Sequence, residues 1–487
     1  MLHIYNTLTL QKEKFKPLRQ EEVKVYFCWP TPYNFAHIGN LKTYIFEDYV
    51  IKALKFLGYK AKTTMNITDI DDKTIRDSQK AWENLLSYTQ KYSNYFLEDL
   101  RKLNITLADN IAPISWLIPE MVEMINWLIK RWYAYLWDDG SIYYEIKKFK
   151  KYWNLAHLDF SGMKTSVRIN NDEYDKENAA DFALWKAWKD EDGENFWMWE
   201  FDFAWEKKVL KWRPGWHIEC SACNMKYFWP QIDIHMWWVD NIFPHHQNEI
   251  AQTEWYTWKT FSKYWLHSGH ITVDGKKMAK SANNFYTVRD LEEKYKNISS
   301  SILYRAIRLS FMNARYRDSV DFSFDKLEQN FNAIKKIDES LKKLNRLLES
   351  WTLKEQKVRR DFREDMQGIV SDYIESLEDD FNMPEAISMF FTFITYTNTQ
   401  IDSWDLCLAE AQSLLEMFKT FDSVLSVLDF EVLKSEEIPN DILAKFKARN
   451  DAKKAKDFTL ADKIRDELLE NWYKIIDDRS WSRVEII

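Results

Sequence analysis

Glycine is scarce. The chain has 487 residues and 9 Gly, whereas ordinary usage of about 7% would give roughly 34. A chain of this length needs turns, helix C-caps and close backbone approaches, and glycine is the residue that supplies them. Tryptophan is in excess, at 24, and the two counts together come close to the glycine figure alone. Cysteine is also sparse. Cys28, Cys220, Cys223 and Cys407 are too few for a disulfide scaffold, so a reducing cytoplasm is expected. No uncharged apolar run reaches the roughly 18 residues of a membrane span. The opening "MLHIYNTLTLQKEKFKPLRQ" lacks the apolar block and cleavage site of a secretory signal. A net charge of −8 argues against a general polyanion binder but leaves room for local basic patches.

At 46% hydrophobic and 30% charged, the chain reads as soluble, globular and too long for one core. "VKVYF" (23–27) alternates as a strand, and the loop "CWPTPYNFAHIGN" follows it. Leu41, Ile45, Val50, Leu54 and Leu57 then mark an amphipathic helix that Gly58 can cap, before a second strand in "YKAKTTMNIT". This βαβ unit predicts an α/β fold with a ligand site at the carboxyl end of its first strand. Residues 85–135 read as helical, and 136–205 as an irregular insertion rich in Asp, Glu, Lys and Trp. Strand-like, His-rich character returns over 206–275. Leu327, Phe331, Ile334, Ile337, Leu341, Leu344 and Leu348 recur at spacings of three and four. They predict a long helix and, to about residue 430, a helical bundle. "LKSEEIPND" (433–441) reads as a linker to a small charged unit.

His245 and Glu249 lie four apart, on one face of a helix. With Cys28 and Cys220 near strand ends they make a plausible tetrahedral zinc set. Buried inert thiols and a satisfied core histidine explain the same residues equally well. Cys220-Ser-Ala-Cys223 also matches half of a zinc ribbon or a redox pair, but a second pair is absent. "GKKMAKSANN" (275–284) gathers lysines suited to charge at a phosphorus centre, or to a solvated loop. "HIGN" (37–40) after a strand offers an anion site at a helix N-terminus.

Together these words say more. "HIGN" and "KMAKS" (277–281) resemble the two signatures of class I aminoacyl-tRNA synthetases. "NITDIDDK", "RPGWHIECSA", "FPHHQNEIAQTE", "YWLHSGHITVDGKKMAKS", "DDFNMPEA" and "KDFTLADKIRDEL" follow in the order of the cysteinyl branch of that family. The resemblance spans nearly the whole chain. It implies a Rossmann-like parallel-sheet catalytic domain with an insertion, then an all-α anticodon-binding bundle and a small C-terminal unit. The implied boundaries are 1–135 and 206–275 for the catalytic halves, 136–205 for the insertion and 276–325 for the lysine loop and stem-contact region. Residues 326–432 would form the bundle and 433–487 the last unit. The implied reaction activates L-cysteine with ATP and Mg2+ and passes the cysteinyl group to tRNA(Cys). One Zn2+ per chain would be held by Cys28, Cys220, His245 and Glu249. His37, Gly39, Asn40, His235 and Lys280 would bind ATP, with His37, Asn40, Lys277 and Lys280 catalytic. Thr31, Thr68, Trp216 and Asp240 would shape the cysteine pocket. A cytoplasmic monomer is expected.

The chain departs from the family in one consistent way. Trp29, Trp237 and Trp238 stand where the family has glycine, and Trp132, Trp153, Trp212, Trp229, Trp258, Trp472 and Trp481 also fall at typical glycine positions. Trp185, Trp216 and Trp265 stand where the family has tryptophan. Ala279 and Gln247 are lesser departures and remove no metal ligand. UGA is read as tryptophan in some codes and as glycine in at least one, so one message gives either residue. The pattern predicts UGA codons and a cellular protein with glycine. If the indoles are real, they crowd the nucleotide and amino-acid site, and a catalytically impaired tRNA-binding homologue becomes the alternative. A cysteine–amino sugar ligase is a second alternative, though it lacks the long helical half. A zinc hydrolase on "HHQNE" lacks the His-Glu-x-x-His arrangement.

Overall fold

The run Val23–Phe27 is apolar enough to be covered on both faces, and it forms the central strand of a five-stranded parallel sheet. The computed structural model describes residues 1–28, 30–157, 181–203, 206–278, 284–349, 353–403, 405–433, 439–471, 473–477 and 482–486. The strand order is Ser262–Ser268, Ile232–Trp238, Val23–Phe27, Ala61–Ile67, Asn110–Pro113. From the centre the chain first builds to one side, through the helix Ile38–Phe56, and later returns to the other. The carboxyl ends of Val23–Phe27 and Ile232–Trp238 therefore flank the topological switch point, where such sheets open a crevice. Gly58 ends the first helix at φ +89°, as its sequence position predicts.

The insertion is not irregular. Ala134–Leu136, Ile142–Tyr144, Phe182–Ala187, Glu206–Pro214 and Trp197–Phe203 form, in that order, a second sheet, and its pairings are antiparallel. Trp197–Phe203 alternates between half-buried and exposed positions over its first four residues, with Met198 and Glu200 outward, and Glu206 and Lys207 are exposed on the neighbouring strand, so charged residues interrupt the apolar strand pattern. Glu206–Pro214 pairs within this sheet, so the antiparallel sheet runs beyond residue 205.

The helical half contains Phe324–Glu349, Arg360–Glu378, Met383–Asp402 and Leu408–Leu425. Leu327, Phe331, Ile334, Ile337, Leu341 and Leu344 are all buried on one stripe of the first of these. Arg308, on helix Ser300–Met312, reaches Asp48 of the first helix at 2.5 Å and the carbonyl of Leu425 at 2.6 Å. A buried guanidinium thus pins three helices together.

Asp429–Ile487 forms a separate compact unit. Helices Asn440–Lys454 and Phe458–Glu470 and the hairpin Tyr473–Asp477/Ser482–Ile486 enclose a small core of Ile442, Leu468, Ile475 and Val484. Among the described residues no helix is long and apolar enough to cross a membrane.

Candidate active site

The crevice at the switch point is a cavity of about 270 Å³ lined by Cys28, Thr31, His37, Asn40, Thr68 and Trp216, among others. "HIGN" builds its anion-facing wall. His37 is the N-cap of Ile38–Phe56, and its Nδ1 accepts from the N–H of Gly39 (3.1 Å) and of Asn40 (3.2 Å). Asn40 Oδ1 accepts in return from the His37 N–H at 3.2 Å. With Nδ1 used as an acceptor, the ring proton sits on Nε2, so the neutral imidazole is a donor on its other edge. The 19-residue helix adds the positive end of its dipole. Gly39 lets the two segments approach: a Cβ there would lie 2.8 Å from Met278 Cε and 2.9 Å from His37 Nδ1, so one of these side chains would have to shift.

That methionine belongs to "KMAKS", so the two signature segments meet. Past the loop, the Phe285 ring lies 4.8 Å from that of His37, and Ile38 N–H donates to Tyr286 O at 2.9 Å. The backbone of Lys276–Lys277 pairs with Ile271–Val273. Lys280 lies outside the described residues, as does Trp29.

Four side chains from distant parts of the chain converge at the cavity, three of them (Cys28, Cys220 and His245) lining it and Glu249 buried against them. Cys28 follows the central strand, Cys220 lies on helix Trp216–Phe228, His245 precedes helix Gln247–Thr257, and Glu249 lies in its first turn. Their ligand atoms all lie within 4.8 Å of one another, and all four residues are buried. Sγ to Sγ is 3.4 Å, Cys220 Sγ to His245 Nε2 3.5 Å, and His245 Nε2 to Glu249 Oε1 3.0 Å. Zinc bonds of about 2.0–2.3 Å in a tetrahedron need donors roughly 3.3–3.8 Å apart, and these three pairs lie in or within a few tenths of an ångström of that range. Glu249 Oε1 supports the fit. Despite the 3.0 Å approach it makes no aligned hydrogen bond.

Electrostatics agree. Burial opposes ionisation of Cys220, but the Cys28 thiol and the His245 ring outweigh it and bring the Cys220 thiol down to about 6. Burial likewise opposes charge on His245, while Cys220 and Glu249 raise it to about 10. A thiolate and an imidazolium held together without a metal carry the charge separation that a cation would replace. Cys28 and Glu249 also group with His235 and His246. We favour the first set because His235 is otherwise engaged: its Nε2 meets Glu249 Oε2 at 2.9 Å and its ring stacks on Trp265 at 4.6 Å.

His235 is fully buried, three residues before its strand ends, and is not among the residues lining the cavity. Asp240 is exposed, lies 3.6 Å from His270, and is not among the lining residues either, whereas its neighbour Asn241 is. Thr68 lines it and donates to Glu219 Oε2 at 3.2 Å. Trp216 covers His245 at 4.3 Å between ring centroids. The sequence reading missed Asn241, Asn66 and the His217–His245 contact (Nδ1 to Nδ1, 2.9 Å). Only proximity in space marks Asn241, while Asn66 opens the quoted word "NITDIDDK". His217 stands in the quoted word "RPGWHIECSA", which signals it.

Residues 14–332 match the family model described as tRNA synthetases class I (C) catalytic domain, and residues 372–429 match the DALR domain. The chain is 38% identical to a cysteine–tRNA ligase of Chlamydia muridarum, over 100% of both chains. It is 38% identical to one of Brachyspira hyodysenteriae, over 97% of both. The fold is similar to a leucyl-tRNA synthetase ternary complex from Agrobacterium radiobacter (TM-score 0.63, 9% identity, 86% of both chains). It is also similar to a methionyl-tRNA synthetase from Mycobacterium tuberculosis (TM-score 0.57, 12% identity, 85% of this chain and 92% of that one). A parallel sheet with HIGN at its switch point, and relatives matched end to end, place this chain in the cysteine–tRNA ligase family of class I aminoacyl-tRNA synthetases.

Proposed function

We propose that Cys28, Cys220, His245 and Glu249 hold one zinc ion that selects cysteine by its thiol, and that the wall built on His37 and Asn40 activates the amino acid with ATP and Mg2+. The chain is an ATP-dependent ligase joining cysteine to tRNA. The observation that carries the finer reading is the convergence of two thiols and an imidazole that line the crevice with a buried carboxylate beside them. Bound there, zinc supplies a thiolate-seeking Lewis acid that ranks sulfur far above a serine hydroxyl. Size alone separates such near-isosteres by only about 1–3 kcal/mol.

The remaining work falls to the chain itself. Trp216 and Thr68 confine the amino acid in the crevice, with Thr31 at the strand end. The His37 Nε2–H, the Asn40 amide and the helix N-terminus are donors for phosphate oxygens. Lys277 and Lys280 of the lysine loop would add charge as the phosphorus centre reacts. The helical half and the last unit would hold tRNA(Cys) by stacking and phosphate contacts. The enzyme would act as a cytoplasmic monomer.

Cysteine-dependent ATP–pyrophosphate exchange, with serine as the competitor, tests this reading. Exchange with cysteine, metal analysis near one zinc per chain, and loss of exchange on chelation are expected. Full discrimination by metal-free enzyme would overturn it.

A further inference from the structure

Four helices of the catalytic domain end in the same turn. In each, the N–H of the residue past the cap returns to the carbonyl three residues back, and the next N–H returns five back. At the end of Ile38–Phe56 the pivot is Gly58: Gly58 N to Lys55 O is 3.0 Å and Tyr59 N to Leu54 O is 2.9 Å. At the end of Leu85–Lys102 it is Asn104, with φ 54° and bonds of 3.0 and 2.9 Å. These are the two residue types that the left-handed pivot ordinarily takes.

At the other two it is tryptophan. Trp82, with φ 57°, closes Asp72–Lys80 through Trp82 N to Gln79 O and Glu83 N to Ser78 O, both 3.0 Å. Trp132, with φ 64°, closes Ile118–Lys130 through Trp132 N to Ile129 O and Tyr133 N to Leu128 O, both 2.9 Å. Helix Gln247–Thr257 ends on a third, Trp258, with φ 58°. A bulky residue at positive φ is an outlier, and burial gives little in return: Trp82 is 96% exposed, Trp132 56% and Trp258 60%.

The cleft tryptophans fail by a different test. Trp237 and Trp238 line the cavity at the carboxyl end of Ile232–Trp238. Trp237 sets its ring edge against Tyr44 at 5.5 Å, inside the space the substrates need. Trp238 buries its Nε1 with no hydrogen-bond partner among the described residues, and an indole N–H is a donor that a folded interior normally satisfies. Trp185 Nε1 also lacks a partner among the described residues, so packing and position, not that donor, separate Trp185 and Trp265 from the cleft pair. Both are wholly buried, with Trp185 on Phe201 at 5.1 Å and Trp265 stacked on His235.

We infer that the working protein carries glycine at 82, 132, 237, 238 and 258, each encoded by UGA, and tryptophan from UGG at 185 and 265. Backbone angle, exposure and cleft geometry sort the positions without reference to any relative. Trp82 joins the set on its φ angle alone. The cleft positions rest additionally on the proposed substrate site; the three helix ends do not.

Peptide mass mapping of the enzyme purified from the cells that make it, read beside its gene, tests the assignment. Glycine at the five positions and tryptophan at 185 and 265 is expected. Tryptophan at 82, 132 or 258, or UGG at any of the five, overturns it. A second arm compares the recombinant chain as given with the variant W82G/W132G/W237G/W238G/W258G. The variant is expected to melt at a higher temperature and to bind ATP where the parent does not. No gain in either overturns the inference. A variant that melts higher and binds ATP but lacks cysteine-dependent exchange leaves the inference standing and sinks the proposed cysteine activation instead.

Discussion

Trp216 lies over His245, with ring centroids 4.3 Å apart and planes 39° from parallel. The indole opens helix Trp216–Phe228 at the cavity wall, four residues before Cys220 on the same helix. One helix thus supplies both a thiol and the cover over the imidazole. Aromatic contacts of this kind contribute about 0.5–1.5 kcal/mol beyond their buried area. In the enzyme with glycine at 82, 132, 237, 238 and 258, we expect W216A to weaken cysteine by that amount, read as a raised KM for cysteine with the KM for ATP unchanged. W216F should recover most of it. Equal weakening of both substrates would show that Trp216 only holds the fold.

His217 is expected to act on the metal through His245. Its Nδ1 lies 2.9 Å from His245 Nδ1, and burial beside that ring pushes its own pKa well below the usual value. A neutral His217 accepts the His245 Nδ1–H and leaves Nε2 for zinc. Losing such a partner typically costs about 10–100-fold in metal affinity. Competition with a chelating dye should show that loss for H217A. Unchanged zinc affinity would rule the role out.

How much of this was legible in the sequence depended on reach. "HIGN" was readable because its work is local: one imidazole caps its own helix and meets two neighbouring N–H groups. From the residues alone the metal set stood level with buried inert thiols, and the family resemblance singled it out, because Cys28 and Cys220 are 192 residues apart. No spacing rule spans that distance. The burial of His235 is not legible in the sequence, because a strand pattern does not say how deep a residue sits below the sheet's end. Asp240 and Asn241 are neighbours on one short turn, and only its direction decides which faces the cavity. The strands of the insertion were hidden by charged residues that interrupt the apolar pattern. Trp82 went unnoticed because a φ angle has no letter in the sequence.

Arg289 should govern the lysine loop. It follows that loop on helix Val288–Lys294, meets both Asp99 oxygens at 2.9 Å, and lies over Phe35 at 4.5 Å. Phe35 precedes "HIGN", so one guanidinium ties both signature segments to helix Leu85–Lys102. Bonds to a charged group contribute about 1.5–3 kcal/mol. In the glycine-bearing enzyme, R289A is expected to lower kcat for exchange with little change in the KM for cysteine. R289K should not rescue it, because an ammonium has no plane to lay over Phe35 and Tyr95 while it meets Asp99. The pH dependence follows from Asp99. Burial raises its carboxyl to about 6, although Arg289 pulls the other way. A raised carboxyl favours folding while protonated, and that contribution is lost as pH rises from the ordinary carboxyl range through about 6. Without Arg289 the carboxyl should rise further, so R289A should lose more stability than the parent between pH 5 and pH 8 in denaturant titrations. Parallel curves would count against the pairing.

Glu47 offers the last test. It lies on the buried face of Ile38–Phe56, and neither carboxyl oxygen has a hydrogen-bond partner among the described residues. Burial pushes its pKa well above the usual carboxylate value. A carboxyl raised in the folded state contributes stability below its unfolded pKa and loses it as pH rises through the folded one. The parent chain should therefore weaken with rising pH through this residue. E47M keeps the length of the side chain and removes the polar atoms. Leaving a buried polar group unpaired costs about 1–3 kcal/mol, so E47M should be more stable by about that much near neutral pH. The gain should shrink in acid, where Glu47 is neutral and cheaper to bury. Denaturant titrations of both chains at pH 5 and pH 8 read the difference directly. A gain of the same size at both values would mean that packing, and not the buried carboxyl, sets the stability at this position.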